Sequence, residues 1–320
     1  MASPHNNFDQ HTAKANFSMD NMNRHPWDGG RRYHIYREGR YSLPNDEIEQ
    51  QREELMHILV MDILDQQLYL APMAEPPKKV MDIATGIGLW AIEMGDKHPD
   101  ATILGIDLSR IQPTSVPPNV TFQVDDIEDT WVHETDYDFI HMREACAYMR
   151  STPAVIDSAI AHLKPGGWFE AQEFYWLAEN EAGTTDPNNP VNRYMEYLAV
   201  AAAATEGRKI AIVPDIGSIM EKAGFVDITK KSYRVPYGAW PRDPAARQRG
   251  AVFSLTAELL MPASQKIISY AGVNPERVAA LYDDCVRMLH DSSTRYFATY
   301  YVWCGRKPQE TGKDSREADQ

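Results

Sequence analysis

Two glycines and three aspartates set the chemistry this chain can do. The stretch Asp82-Ile-Ala-Thr-Gly86-Ile-Gly88-Leu-Trp-Ala91 runs from a short apolar segment into a glycine turn and then a helical pattern. Glycine there lets a ligand approach the backbone closely, and the following helix start offers unpaired N–H groups. The spacing Gly86-x-Gly88-x-x-Ala91 fits a dinucleotide-type fingerprint. Asp107 ends the next apolar segment, 19 positions after Gly88. A carboxylate there can accept both hydroxyl protons of a ribose; the competing reading is a solvated loop acid. Turn and acid together indicate an adenosine-type ligand, with a nicotinamide cofactor and S-adenosylmethionine both open.

Three features separate these two. Asp82 stands just before the glycines, where it can hold an ammonium group but would repel a pyrophosphate. Asp126, in Asp125-Asp126-Ile127, can accept from an adenine amino group while Ile127 packs on the ring. Leu163-Lys-Pro-Gly-Gly-Trp168 precedes a fifth apolar segment. A ring of carboxylates suits a sulfonium that also carries an ammonium.

Methyl transfer is an in-line displacement, so the protein chiefly aligns its reactants and excludes water. A base is needed only where the nucleophile keeps its proton at neutral pH. His141 and Glu173 are the candidate catalytic residues, each closing a predicted strand; for each, the competing role is structural. Arg143 can pair with an acidic substrate or with Glu144. The N-terminal aromatics Trp27, Tyr33, Tyr36 and Tyr41 alternate with Arg31, Arg32, Arg37 and Arg40. Tyr33, Tyr36, Tyr41 and, farther on, Trp240 are the candidate substrate contacts, able to cover a flat or anionic acceptor. Packing of the arm on the first helix is the alternative.

These residues need strand ends and helix starts to hold them. A capped helix is expected from Asn45 or Asp46 to about Leu68, with Ile48, Leu55, Ile58, Leu59 and Ile63 as its apolar positions. Strands are expected at 79–83, 102–107, 120–124, 137–141 and 168–174, with helices at 90–97 and 151–163. Helical segments at 191–204 and 216–223 follow, then a strand at 225–235, helices near 245–260 and 275–290, and a closing strand at 295–304. Strands joined by helical crossovers imply an α/β doubly wound, mostly parallel sheet. The late strands form an antiparallel edge pair, with residues 238–294 as a helical insertion or lid. Residues 1–24 read as a flexible arm and 309–320 as a disordered tail.

The chain of 320 residues holds 46 acidic and 32 basic side chains, a formal charge of −14, and is 43% apolar. That supports a large core and argues against binding nucleic acid. No apolar run approaches a membrane span and no secretory signal is evident, so a cytoplasmic chain is expected. Three scattered cysteines argue against a disulfide framework, and no metal site is expected.

Taken in order, several segments resemble the class I S-adenosylmethionine-dependent methyltransferases, and among them the fungal LaeA-like group. They are Gly30-Arg-Arg-Tyr-His34, Tyr41-Ser-Leu-Pro-Asn-Asp-Glu47, Asp82–Gly88, Gly105-Ile-Asp-Leu-Ser109, Asp125-Asp-Ile-Glu128, Asp138-Phe-Ile-His-Met-Arg143 and Leu163–Trp168. The resemblance covers roughly residues 27–308 and implies a seven-stranded Rossmann-like sheet with an antiparallel last strand. It also implies S-adenosyl-L-methionine as cofactor: Asp82, Gly86 and Gly88 at the methionine part, Asp107 at the ribose, and Asp126, Ile127 and Leu108 around the adenine. The implied acceptor is a small secondary metabolite methylated on O or N. The group also contains a nuclear regulator of secondary metabolism, which leaves a role in a protein complex as the alternative. One departure is Ala84, where the group more often has Gly; a methyl fits there if the residue keeps negative φ.

Overall fold

The computed structural model describes residues 27–37 and 40–309. The expected arm, 1–24, and residues 310–320 of the expected tail lie outside the described residues. A small hairpin of β1 (Trp27–Asp28) and β2 (Arg31–Arg32) leads to helix α1 (Glu47–Ile63). Then come β3 (Lys79–Ile83), α2 (Leu89–Lys97), β4 (Thr102–Asp107), β5 (Val120–Val124), β6 (Tyr137–Arg143) and α3 (Thr152–His162). β7 (Leu163–Glu179), α4 (Pro190–Glu206), α5 (Ile216–Ala223), β8 (Val226–Tyr237), α6 (Pro244–Tyr270), α7 (Pro275–His290) and β9 (Tyr296–Arg306) complete the chain order.

The main sheet has seven strands in the order β5-β4-β3-β6-β7-β9-β8. It is parallel from β5 to β7. β9, last in the chain, inserts antiparallel between β7 and the edge strand β8. Strand order reverses at β3, between β4 and β6, and the crevice outside the carboxyl ends there is where such sheets bind ligands.

Alternation along the strands divides the core. Val80 and Phe139 pack on one face with α1, α2, α4, α6 and α7, whereas Met81 and Ile140 pack on the other with α3 and α5. The segment 238–294 supplies α6 and α7, whose side chains Phe253, Met261, Cys285 and Leu289 join the larger core. α6 runs ten residues beyond the expected end at Leu260 despite Pro262. The burial of Ala263, Ile267 and Ile268 offsets the roughly 3 kcal/mol a proline costs inside a helix.

α1 departs from the expected pattern. Its N-cap Asp46 accepts from Glu49 N at 3.1 Å and pairs with Arg31 at 2.5 Å. Leu59 and Ile63 are buried as expected, but Ile48 and Ile58 are 50% and 53% exposed. Glu49, Arg52 and His57 are buried instead. The physical reason is that this helix faces a polar cleft, so its inner stripe is partly charged. Among the described residues no helix is long and apolar enough to cross a membrane.

Candidate functional site

The glycine turn is strained into shape. Gly86 and Gly88 have φ of +54° and +82°. A Cβ on Gly86 would lie 2.5 Å from Glu53 Oε2, and one on Gly88 would lie 2.5 Å from Phe122 Cζ. Both glycines are favoured by their left-handed conformation, and at Gly88 the Phe122 ring also crowds out a side chain. Gly88 caps α2 without a side-chain bond, leaving the helix start facing the crevice. Ala84 has φ +55°, so the condition of negative φ under which a methyl fits is not met there. The turn holds this alanine in the left-handed region at a cost of about 1–2 kcal/mol.

Around the turn, the strand ends converge on an open cleft. Asp82, Gly86, Asp107, Leu108, Asp126, Ile127 and His141 all line it, as does Tyr41. Gly88 sits behind the wall, between Ile87 and Leu89. Asp107 closes β4, with Oδ2 accepting from Gly86 N at 2.9 Å and Oδ1 from Ser109 N at 2.8 Å. Burial pushes its carboxyl up to about 6, against the pull of those N–H groups. Asp82 and His141 are register partners on β3 and β6, and Asp82 Oδ1 lies 2.7 Å from His141 Nδ1. Asp82 Oδ2 accepts from Thr85 Oγ1 at 2.5 Å. The His141 ring is fully buried and stacks on Trp90 at 3.7 Å between centroids. Its Nε2 has no hydrogen-bond partner among the described residues.

Other expected site residues are placed elsewhere. Glu173 does not line the cleft; its Oε1 accepts from Ala145 N and Cys146 N, both at 3.0 Å. The alternation of β7 turns it to the α3 side of the sheet, where it braces the loop after β6. Trp240 packs edge-on against Phe297 at 5.1 Å, with Arg295 over its ring, away from the cleft wall. Tyr33 is buried under Lys266 of α6, whose Nζ lies 3.9 Å from its ring centroid. Tyr36 is at the rim, donating from its hydroxyl to Asp125 Oδ1 at 3.3 Å. Beside it, Arg37 pairs with Asp129, and Arg40 Nε donates to Asp126 Oδ2 at 2.6 Å. Tyr36, Arg37 and Arg40 are therefore each tied to the loop 125–129.

Several wall residues escaped the sequence reading. Arg52, Glu53, Met56 and His57 come from α1, Glu144 and Tyr148 from the turn after β6, and Trp176 from β7. Glu53 Oε2 accepts from Ile87 N at 3.1 Å, and burial together with Glu49 pushes its carboxyl up to about 8. The i,i+4 pair Glu53 and His57 on a capped helix was the available signal. Arg143 Nη2 donates to His57 Nδ1 at 2.8 Å, and His57 Nε2 donates to Glu93 Oε1 at 3.0 Å. Burial and the Arg143 charge hold His57 down at about 4, so it is neutral and can accept from the guanidinium. Tyr41 and Tyr148 meet edge-to-face at 5.1 Å.

This arrangement fits an adenosyl ligand that carries positive charge. The glycine turn borders the cleft, acids stand at or just beyond three strand ends, and the buried His141 Nε2 lacks a partner among the described residues. A family described as "Methyltransferase domain" matches residues 49–230. The methyltransferase pytC of Aspergillus terreus is 40% identical over 263 residues, covering 81% of this chain and 81% of that one. The secondary metabolism regulator LAE1 of Cochliobolus heterostrophus is 32% identical over 293 residues, covering 88% of this chain and 95% of that one. The protein-methionine methyltransferase laeA of Emericella nidulans is 29% identical over 287 residues, covering 88% and 76%. With carboxylates gathered at a glycine-cradled switch point and relatives of this kind along most of its length, the chain belongs to the class I S-adenosylmethionine-dependent methyltransferases, in the LaeA-like family.

Proposed function

We propose that this chain methylates an oxygen or nitrogen of a small, partly apolar natural product. One observation carries the reading: the cleft continues from the acidic strand ends into a wall of Tyr41, Tyr148, Met56, Met149 and Trp176. When bound, S-adenosylmethionine supplies a methyl group on a positively charged sulfur. In this reading Asp107 accepts from the ribose hydroxyls while keeping the turn in place through Gly86 N. Asp126 and Ile127 take the edge and face of the adenine, with Leu108 opposite. Asp82 provides negative charge toward the ammonium and fixes the His141 ring. The aromatic wall positions the acceptor and keeps water away, and such orientation is worth ~7–11 kcal/mol.

Calorimetric titration of the full chain with S-adenosylhomocysteine tests the cofactor half. Binding at micromolar concentration is expected, and no heat at millimolar ligand with folded protein would refute it. Methyl-labelled cofactor with a library of small metabolites tests the acceptor half. Relatives bearing regulator names favour one second reading, a role inside a protein complex. Stable partners in a pull-down, with no turnover of any small molecule, would select it.

A further inference from the structure

We propose that Glu144 takes the proton from the methyl acceptor and that Arg143 beside it holds the resulting oxyanion, so the acceptor is a phenolic hydroxyl. This rests on the methyl-transfer reading above.

Glu144 follows the last residue of β6 and has φ +53°, a conformation costly for any residue with a Cβ. Its backbone N donates to Gln172 O at 3.0 Å, and Oε1 accepts from Phe174 N at 2.7 Å. Oε2 has no hydrogen-bond partner among the described residues. The side chain stands in the cleft wall with Tyr41, Tyr148 and Trp176. The other cleft acids are engaged: Asp82 by His141 and Thr85, Asp107 by two backbone N–H groups, and Asp126 by Arg40. Glu53 lies against the glycine turn.

The groups facing Glu144 are Glu173 on β7, Arg52 on α1, Arg143 on β6, Tyr300 on β9, and Cys146 and Tyr148 in the turn. Burial and the neighbouring Glu173 push its carboxyl up to about 8, with the Phe174 N–H, Arg52 and Arg143 pulling the other way. Burial raises the Glu173 carboxyl too, to about 7, against the pull of the Ala145 and Cys146 N–H groups. A base in this range is far closer to a phenol, ordinarily ~10, than an unperturbed carboxylate would be.

Arg143 selects the atom. His57, backed by Glu93, holds one arm of its guanidinium. The other nitrogen, Nη1, is buried without a partner among the described residues, a costly state that an acceptor oxygen relieves. Arg143 and Arg52 repel an ammonium and attract an oxyanion, which favours a hydroxyl over an amine. In the transfer the O–H bond breaks and its proton passes to the Glu144 carboxylate. The oxygen's electron pair forms the O–CH3 bond. The bond from the methyl carbon to sulfur breaks, its pair staying on sulfur to leave a neutral thioether. Glu144 then returns the proton to solvent.

The test uses the full chain, methyl-labelled S-adenosylmethionine, and two acceptors, phenol and the far more acidic 4-nitrophenol, which is substantially ionised at neutral pH where phenol is not. Glu144→Gln should lose at least about 100-fold toward phenol and at most about tenfold toward 4-nitrophenol, with affinity for S-adenosylhomocysteine kept. Glu144→Gly, which relieves the left-handed backbone at φ +53°, should show the same split. Wild-type turnover of phenol should rise about tenfold per pH unit up to about 8 and then level, a limb absent in the glutamine variant. As a readout apart from turnover, 4-nitrophenol bound to S-adenosylhomocysteine-saturated protein should absorb as the phenolate and shift toward the neutral form in Arg143→Gln. Equal losses on both acceptors, or an unshifted spectrum in Arg143→Gln, would overturn the assignment. No transfer to either phenol by protein that binds S-adenosylhomocysteine would overturn the acceptor class and leave the methyltransferase reading standing. Failure to bind it would remove both.

Discussion

Arg40 Nε lies 2.6 Å from Asp126 Oδ2, so the acid best placed to read an adenine edge is already neutralised by the N-terminal segment. The Asp126 side chain is only 2% exposed. Truncating its partner leaves a buried carboxylate to be satisfied by something else. Arg40→Ala should lower the stability of ligand-free protein by ~1–3 kcal/mol. It should also enlarge the thermal shift produced by saturating S-adenosylhomocysteine, because the adenine amino group takes the vacated oxygen. Differential scanning fluorimetry measures both; an unchanged ligand shift would mean that Asp126 does not meet the adenine.

Asp107 joins the glycine turn to β4 through Gly86 N and Ser109 N. Asp107→Ala should weaken S-adenosylhomocysteine binding by ~1.5–3 kcal/mol, about 10–150-fold, the range for hydrogen bonds to a charged group. Calorimetry reads this directly. A loss below threefold would place the ribose elsewhere.

Ala84 and Gly88 make opposite predictions from the same backbone. Ala84→Gly relieves a left-handed alanine and should stabilise the protein by about 0.5–1 kcal/mol, once the greater chain entropy of glycine is subtracted. Gly88→Ala places a methyl 2.5 Å from Phe122 Cζ at φ +82° and should cost at least about 1–2 kcal/mol. Urea unfolding at fixed pH separates the two signs.

Stability should decline from mildly acidic to alkaline pH through the buried acids. Glu53 is raised from 4.5 to about 8 and Asp107 from 3.8 to about 6. Between ordinary and raised values the folded chain keeps protons that the unfolded chain has released, so raising the pH favours unfolding. The Asp107 contribution is lost by about pH 6 and that of Glu53 by about pH 8. Glu53→Gln should flatten the upper part of this slope in thermal melts from pH 5 to about 8. His57 acts in the other direction: held down at about 4, its contribution is complete above its ordinary 6.5 and fades as pH falls.

Legibility in the sequence followed locality. The glycine turn, Asp107 and the strand segments were readable because each motif lies within a few residues and follows a strand or helix period. His141 was placed at the cleft by strand order alone. The role of Glu173 depends on which face of β7 it occupies, and an apolar run on both faces hides that alternation in the sequence. Sequence does not separate the two roles open to Trp240 and Tyr33, because aromatics pack as readily on Phe297 or Lys266 as on a substrate. Glu144, Arg52 and Glu53 were invisible as a group: their meeting needs α1 laid over the end of β6, a tertiary fact. Ile48 and Ile58 show the converse, apolar periodicity on a helix whose inner stripe is polar.

Because β9 is threaded between β7 and β8, β8 has no sheet neighbour until the final eleven residues of the sheet are made. During synthesis, β8 and the far edge of β7 must wait bare while α6 and α7 emerge, each a row of unpaired amides open to another chain. Removing residues from Tyr296 onward would strip two strands of partners at once, so the protein should prove far less tolerant of shortening here than a chain whose last strand lies at the rim.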